Sequence, residues 1–190
     1  MAKNKSTKHR KLSYLKDLSD YKMAKEDPDV RGWDVVDSHN DRIGEISGLL
    51  VDPAKERVVY LDVDVRDELI AEDHDPFDAH HGSGIHEYQD KKGDIHMIIP
   101  VGVAHVDHEN KTVVADGIDQ GELRNYPSYR YHKDEPIHPD YEKRVRERNR
   151  KQYVETSDGR LIDRDLSDDE YYNSEHYDED KFYGRTKKKS

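Results

Sequence analysis

RVVYLDVDV, at residues 57–65, is the clearest strand signal in the amino-acid sequence. Its composition repeats every two residues, with aliphatic side chains at Val59, Leu61, Val63 and Val65 and other side chains at Tyr60, Asp62 and Asp64. Successive side chains of a strand point to opposite faces of a sheet. We therefore expect the aliphatic residues in a core and the two aspartates on the solvent-facing side.

Two further strands are predicted upstream of this stretch, at residues 33–36 and 42–52. The residues between them, DSHND at 37–41, are typical of a turn, and DPAKE at 52–56 suits a tight reversal with proline at its second position. Gly44 and Gly48 lie inside the longer strand. Glycine inside a strand predicts a bulge or a sharp curvature.

The pattern resumes downstream at residues 96–103, where the aliphatic positions on one face are Met97, Ile99, Val101 and Val103. Pro100 has no N–H to donate, so we expect the strand to turn a corner there. A turn at 107–111 and a short strand at 112–115 complete a hairpin. Five or six short strands with such turns indicate a mainly β fold, a small barrel or roll.

The flanks of this region are too polar to build a second core. Of the 190 residues only 32% are hydrophobic and 39% are charged, so we expect one compact domain with polar extensions. We divide the chain into a basic N-terminal arm (1–30), a barrel domain (31–120) with a His/Asp-rich insertion (66–95), a Pro/Tyr-rich extension with a charged helix (121–153), and a disordered tail (154–190) that is first acidic and then basic.

Composition excludes several classes of function. The chain has no cysteine, which rules out disulfides, thiolate metal sites and cysteine nucleophiles. A net charge of -11 argues against binding nucleic acid over the whole surface, so we expect such contacts only through the basic tails. No stretch approaches the roughly 20 apolar residues of a membrane helix, and the expected location is the cytoplasm.

Four consecutive segments resemble the PRC-barrel signature in both order and spacing: GWDVVD at 32–37, RIGEI at 42–46, LLVD at 49–52 and RVVYLDV at 57–63. A fifth, IIPVGVAHVD at 98–107, is similar to later strands of the photosynthetic reaction-centre H subunit, a member of that family. The resemblance implies a small PRC-type β-barrel of about six strands. In the H subunit this domain caps the reaction centre and assists proton delivery to a quinone.

Two groups of residues have side chains suited to chemistry. His80, His81 and His86 lie among carboxylates, and imidazole with carboxylate suits zinc, nickel or copper. Since two of them are adjacent and no regular element fixes their geometry, a solvated insertion is the favoured interpretation and the three are weak metal candidates. Asp62 and Asp64 resemble a general acid and base pair, but exposed pairs rarely act so. We therefore predict no catalytic residue, no cofactor and no enzymatic activity.

Tyrosines in the C-terminal extension are the candidate interaction residues. Tyr129, Tyr131 and Tyr141 lie among proline, arginine and lysine, a composition typical of protein interfaces. The alternative is that the same rings pack the extension onto the barrel. The sequence leaves both interpretations open.

These observations predict a non-catalytic adaptor that binds another macromolecule, with a protein as the expected partner. One alternative is a metal-handling or proton-handling protein that uses the His-rich insertion. A further alternative is a photosynthetic reaction-centre component that assists electron and proton transfer to quinone.

Overall fold

The computed structural model describes residues 12–70, 94–131, 136–152 and 171–185. Within them the architecture is mainly β, as predicted. Eight strands form one strongly bent sheet: β1 (Ser13–Tyr14), β2 (Asp34–Val36), β3 (Arg42–Asp52), β4 (Arg57–Val65), β5 (Ile95–Pro100), β6 (Ala104–Asp107), β7 (Thr112–Ala115) and β8 (Tyr129–Arg130). Two helices follow, α1 (Pro139–Gln152) and α2 (Glu179–Phe182).

The strands lie in the order β6-β7-β2-β3-β4-β5-β8, and β1 pairs with β3 outside this path. The hairpin predicted around the turn at 107–111 is present, with the predicted β7 as one strand and β6, which the sequence did not predict, as the other. All neighbours are antiparallel except β2 and β7, which pair in parallel. Within the described residues the end strands β6 and β8 do not pair with each other. The sheet therefore bends around its core without a complete ring of hydrogen bonds.

Two register shifts bend the central β3–β4 pair. Opposite Val63 and Asp62, strand β3 carries an extra residue between Ile46 and Gly48, and strand β4 carries an extra residue, Val59, between Val58 and Tyr60. An extra residue in one strand twists it and changes which face the next side chain takes. The bulge predicted in the glycine-containing strand is confirmed.

The inner face of the sheet encloses one aliphatic core, which we call the inner cluster. Its largest contributors from β3, β4 and β5 are almost fully buried: Ile43, Ile46, Leu49, Leu61, Val63, Met97 and Ile99. The predicted corner at Pro100 is present, because β5 ends there and a 3-10 turn at Val101–Val103 leads into β6. Val101 and Val103 join the same cluster, as expected from the sequence.

A second, aromatic cluster covers the outer face of β3, β4 and β5, and we call it the outer cluster. It combines strand residues with residues of both extensions: Tyr14, Leu50, Val59, Tyr60, Ile98, Tyr141, Val145, Tyr171, Tyr172 and Tyr177. Val59 was predicted to share a face with Leu61, and this is wrong because the bulge turns it outward. Asp62 was predicted to face solvent but is 0% exposed, since the extensions cover that face.

The tail prediction also needs correction. Residues 171–185 fall in the stretch expected to be disordered, yet they form a 3-10 turn and α2 and bury Tyr177, Phe182 and Tyr183. This part of the sequence has few aliphatic residues, and its aromatic side chains supply the apolar area for burial instead. In the described parts of the chain, no helix is long and apolar enough to cross a membrane.

A substitution inside the core tests this arrangement. Leu61 is 0% exposed in the inner cluster, so Leu61→Ala should lower the free energy of unfolding by about 2–5 kcal/mol through lost transfer energy and a cavity. Denaturant unfolding followed by circular dichroism measures this loss. The control is Glu45→Gln, an exposed change opposite Asp64 on the neighbouring strand, which should be nearly neutral. An equal loss from both changes would contradict the placement of β4.

Candidate polar site on the outer face

A buried carboxylate, Asp62, lies at the centre of the outer face. Strand β4 places it opposite Gly48 on one side and Ile98 on the other. The alternation that sends Leu61 and Val63 into the inner cluster sends Asp62 outward. There the N-terminal segment and β8 enclose it, so that none of its surface is exposed.

Three side chains from separate parts of the chain hydrogen-bond to Asp62. The hydroxyl of Tyr14 donates to Oδ2 at 3.1 Å, and that of Tyr129 donates to Oδ1 at 2.8 Å. His96 Nδ1 lies 3.0 Å from the same Oδ1. Since an ionised carboxylate only accepts hydrogen bonds, this contact assigns the ring proton of His96 to Nδ1.

The two tyrosine hydroxyls also contact each other. Their oxygens are 3.0 Å apart, and each hydroxyl has a single proton to donate. Tyr14 therefore donates either directly to Asp62 or to Tyr129, which itself donates to Asp62. Burial, followed by the nearby charge of Asp62, raises the pKa of the Tyr14 hydroxyl far above its ordinary value, so this hydroxyl stays a donor.

Gly48 makes room for this network. A Cβ atom at this position would lie 3.1 Å from two ring carbons of Tyr14 and 3.7 Å from Asp62 Oδ2. Such contacts are tight, so a side chain here would push the Tyr14 ring away from the sheet. The glycine that predicts curvature in the sequence also provides the space for an aromatic ring above the carboxylate.

Aromatic and cationic groups close the network toward solvent. The ring of His96 is stacked on Tyr131 with 4.6 Å between centroids and an interplanar angle of 14°. Lys16 donates from Nζ to the Tyr131 hydroxyl at 2.9 Å, and the same ammonium lies over the Tyr14 ring. Tyr131 and Lys16 are therefore the outermost members of this site.

This arrangement fixes segments of the chain to one another. Asp62 connects β4 with β5 through His96, with the N-terminal segment through Tyr14, and with β8 through Tyr129. Hydrogen bonds joined in such a network in a buried environment strengthen one another. Asp62 and His96 are both almost fully buried.

A second polar contact joins the two C-terminal elements to the sheet. The Tyr60 hydroxyl donates to Glu142 Oε1 at 3.1 Å, and its oxygen is 2.6 Å from the Tyr177 hydroxyl oxygen. Tyr60 belongs to β4, Glu142 to α1 and Tyr177 to the C-terminal segment. These hydroxyls lie in the apolar outer cluster, where each buried donor needs a partner.

The three predicted interaction tyrosines differ in their burial. Tyr141 is buried, and its hydroxyl accepts from the backbone N–H of Ile98 and donates to the carbonyl of Pro127. Tyr129 and Tyr131 are half-buried. The packing interpretation therefore accounts for Tyr141 and for the hydroxyl of Tyr129, whereas a contact of Tyr131 with a partner stays a prediction.

The candidate metal ligands fall in two places. His80, His81 and His86 lie outside the residues that the structure describes. Among the described residues, Asp37, His39 and Asp119 form one group close enough to share an ion. Asp37 already accepts from backbone N–H groups through both oxygens, so its main role is to anchor a turn.

Sequence reasoning missed Tyr14, His96 and the burial of Asp62. No local motif joins them, because they come together only when β1 and β8 reach the outer face of the sheet. The relevant signal was the density of tyrosines in the extension, which was consistent with rings that cover the barrel.

Replacement of the central carboxylate tests the network. Asp62→Asn presents an N–H₂ group to hydroxyl donors and removes a buried charge, so it should lower the free energy of unfolding by about 2–5 kcal/mol. Urea unfolding measures the change. The matched control is Asp64→Asn on the same strand: burial raises the pKa of the Asp64 carboxyl, so a neutral side chain there should cost little. Similar stabilities for both variants would refute the network.

Alkaline titration tests the buried tyrosines. Burial raises the pKa values of Tyr60, Tyr141 and Tyr177 well above 10.0. The stability linked to a raised pKa is complete below the unfolded value and is lost as the pH rises through the folded value. We expect part of the tyrosinate absorbance to appear only together with unfolding, above pH 10.0, as seen by circular dichroism. Ionisation of all 13 tyrosines in one early step would contradict this burial.

Comparison with known proteins identifies the domain. The model of the PRC-barrel domain family matches residues 24–120, which include β2 to β7 and thus the strand that carries Asp62. A comparison with curated proteins finds no match. The match covers about half of the 190 residues and agrees with the bent sheet described above. The chain therefore belongs to the PRC-barrel domain family.

Proposed function

We propose that this chain is a non-catalytic PRC-barrel adaptor that binds another protein through the outer face of its sheet. One observation carries the proposal: this face already binds separate segments of its own polypeptide through tyrosine side chains. The N-terminal segment uses Tyr14, the α1 region uses Tyr141, and the C-terminal segment uses Tyr177. A surface that accepts aromatic-bearing chain segments is chemically suited to accept one from a partner.

The outward part of the polar site offers a suitable contact area. Tyr131 is half-buried, with one side of its ring against His96 and with Lys16 at its hydroxyl. A ring held in this way loses little conformational entropy on binding, which is why tyrosine contributes strongly to protein interfaces. Lys16 adds a positive charge on a chain whose net charge is -11, so an acidic partner surface fits this point.

The absence of catalysis is part of the proposal and rests on the enclosure of the polar site. The carboxylate and the imidazole that most resemble catalytic groups bond to each other and to tyrosines, and both are buried. General acid–base catalysis needs such groups within hydrogen-bond reach of a substrate. Their geometry is better suited to holding β1, β5 and β8 together.

Two alternatives make different predictions. A metal-handling protein would require His80, His81 and His86, so the metal content of untagged protein should fall when these are replaced. A reaction-centre component would have a membrane protein as its partner, and its gene should lie near genes for photosynthesis. An adaptor of the kind proposed here requires neither result.

The test compares Tyr131→Ala with Tyr131→Phe in the full chain. Quantitative capture from native lysate, followed by binding measurements with the purified partner, should show affinity reduced at least 10-fold by alanine, the loss expected for an aromatic anchor. Phenylalanine keeps the ring and should retain most of the binding.

Thermal unfolding serves as the control for both variants. Because Tyr131 is only half-buried, both should stay folded at the assay temperature. Equal affinity of wild type and Tyr131→Ala for the same partner would exclude this surface. If binding instead disappears on removal of metal or in the variant of the three histidines, the metal-handling alternative replaces the adaptor.

A further inference from the structure

The C-terminal segment, residues 171–185, lies against the barrel but adds no strand to its sheet in the parts of the chain that the structure describes. After Tyr171, its helical first residue, its regular structure is one 3-10 turn, Glu175–Tyr177, and the four-residue helix α2. Elements this short do not hold their shape alone in water. The segment therefore owes its conformation to the surface beneath it, as a bound peptide does.

Aromatic side chains provide the apolar contacts of this segment. Phe182 is 0% exposed and Tyr183 is 5% exposed, and both join the inner cluster, whose other members lie between residues 30 and 126. Tyr177 and its neighbours join the outer cluster on the opposite face of the sheet. The segment thus reaches both clusters from outside the region matched by the family.

The backbone at Gly102 forms the closest contact between barrel and segment. A Cβ atom there would lie 1.9 Å from the carbonyl oxygen of Glu175 and 2.6 Å from the carbonyl carbon of His176. Lys181 of α2 donates from Nζ to the Gly102 carbonyl at 2.9 Å. Only glycine allows the two backbones to approach so closely, which gives a point at which docking can be blocked sterically.

Charged groups of the barrel side fix the two ends of the segment. At its beginning, the Arg57 guanidinium donates to the Tyr172 carbonyl and Lys55 donates to the Asn173 side chain. At its end, Arg185 donates from Nε to Asp27 at 2.9 Å. The barrel surface beneath the segment is thus positive where the segment begins and negative where it ends. This charge difference favours one orientation of a bound peptide.

The fit beside Arg57 is incomplete. Two pockets, of about 390 and 270 Å³, adjoin the segment and share Arg57 in their walls. The Nε atom of Arg57 is buried without a hydrogen-bond partner among the described residues. The segment's own Glu179 lies near Arg57 but does not accept from this Nε. A buried donor without an acceptor is unfavourable, so a peptide that places a carboxylate oxygen on Nε would bind more tightly than the chain's own segment.

We propose that residues 171–185 are an intramolecular ligand that occupies a peptide-docking groove of the adaptor, and that a partner protein displaces them with a segment of the same chemistry. That segment carries aromatic residues for the two clusters, a carboxylate near Arg57 and a terminal arginine for Asp27. This inference rests on the proposed adaptor function. Because the segment belongs to the same polypeptide, it is present at high effective concentration, so only a strong or abundant competitor replaces it.

The test uses the full chain with a specific protease site placed within residues 153–170, cleaved after folding. The probe is a fluorescent synthetic peptide of residues 171–185, and its binding is followed by anisotropy. The nicked chain should exchange its fragment for the probe, whereas the intact chain should bind the probe at least about 100-fold more weakly because of its tether. An Asn173→Asp peptide should bind several-fold more tightly than the natural peptide, since its carboxylate faces Lys55 and Arg57.

Variants test whether the probe peptide binds in the groove that residues 171–185 occupy. Gly102→Ala in the nicked chain should abolish probe binding, while Gly121→Ala, which meets only the Asp119 side chain, should leave it unchanged. A Phe182→Ala peptide should also lose binding, and circular dichroism of each nicked chain checks the fold. The inference fails if the fragment does not exchange from a folded nicked chain, or if the nicked chain unfolds when the fragment dissociates.

Two further outcomes separate the docking groove from the adaptor function. If the intact chain exchanges segments between copies and dimerises, the occupant is a second copy and the partner inference is wrong. If a partner found through Tyr131 binds without competing with the probe, the adaptor function stands and the groove inference fails. If the probe binds as expected but Tyr131→Ala changes no partner affinity, the groove is supported and the Tyr131 surface fails.

Discussion

The buried carboxylate of Asp62 is the constraint on which the outer half of this molecule depends. A charge placed among apolar side chains is tolerated only when hydrogen bonds replace the water that it loses. Here the replacements come from Tyr14, His96 and Tyr129, which belong to three separate parts of the chain. The need to satisfy one carboxylate therefore fixes the N-terminal segment and β8 on the same face of the sheet.

Tyrosine performs two tasks in the extensions. The chain has few aliphatic residues to bury outside the barrel, and its aromatic rings supply the apolar area instead. Their hydroxyls also satisfy the edge of the sheet: Tyr141 accepts from the Ile98 N–H, and Tyr126 donates to the Ile98 carbonyl. Strand β8 pairs with β5 only at Ile95 and His96, so the rest of β5 lies at the edge of the sheet. An edge without such partners is a site for unwanted pairing with other chains. The extensions thus protect β5 while they cover it.

The same chemistry connects the proposed adaptor function with the docked C-terminal segment. The outer face holds the α1 region and Tyr177 through side-chain contacts without adding a strand, whereas Tyr14 arrives on strand β1, which pairs with β3. The C-terminal segment contributes Tyr177 to these outer contacts, and its Phe182 and Tyr183 pack in the inner cluster. In the proposed displacement the attachments at β1 and β8 stay in place and the one around Gly102 is exchanged, where backbone contact makes the fit sensitive to a single methyl group.

Local patterns in the sequence determined β2, β3, β4, β5 and β7, the bulge near Gly48, the corner at Pro100 and the barrel's share of the inner core, because each depends on the period-two alternation and on turn residues close in the chain. Tertiary structure decided the rest. Whether Asp62 faced water depended on Tyr14, 48 residues away, and on Tyr129, 67 residues away, and neither contact has a local signal. The packing of residues 171–185 also could not be predicted from the sequence. An acidic composition indicates disorder unless the aromatic rings of the segment pack on a distant surface.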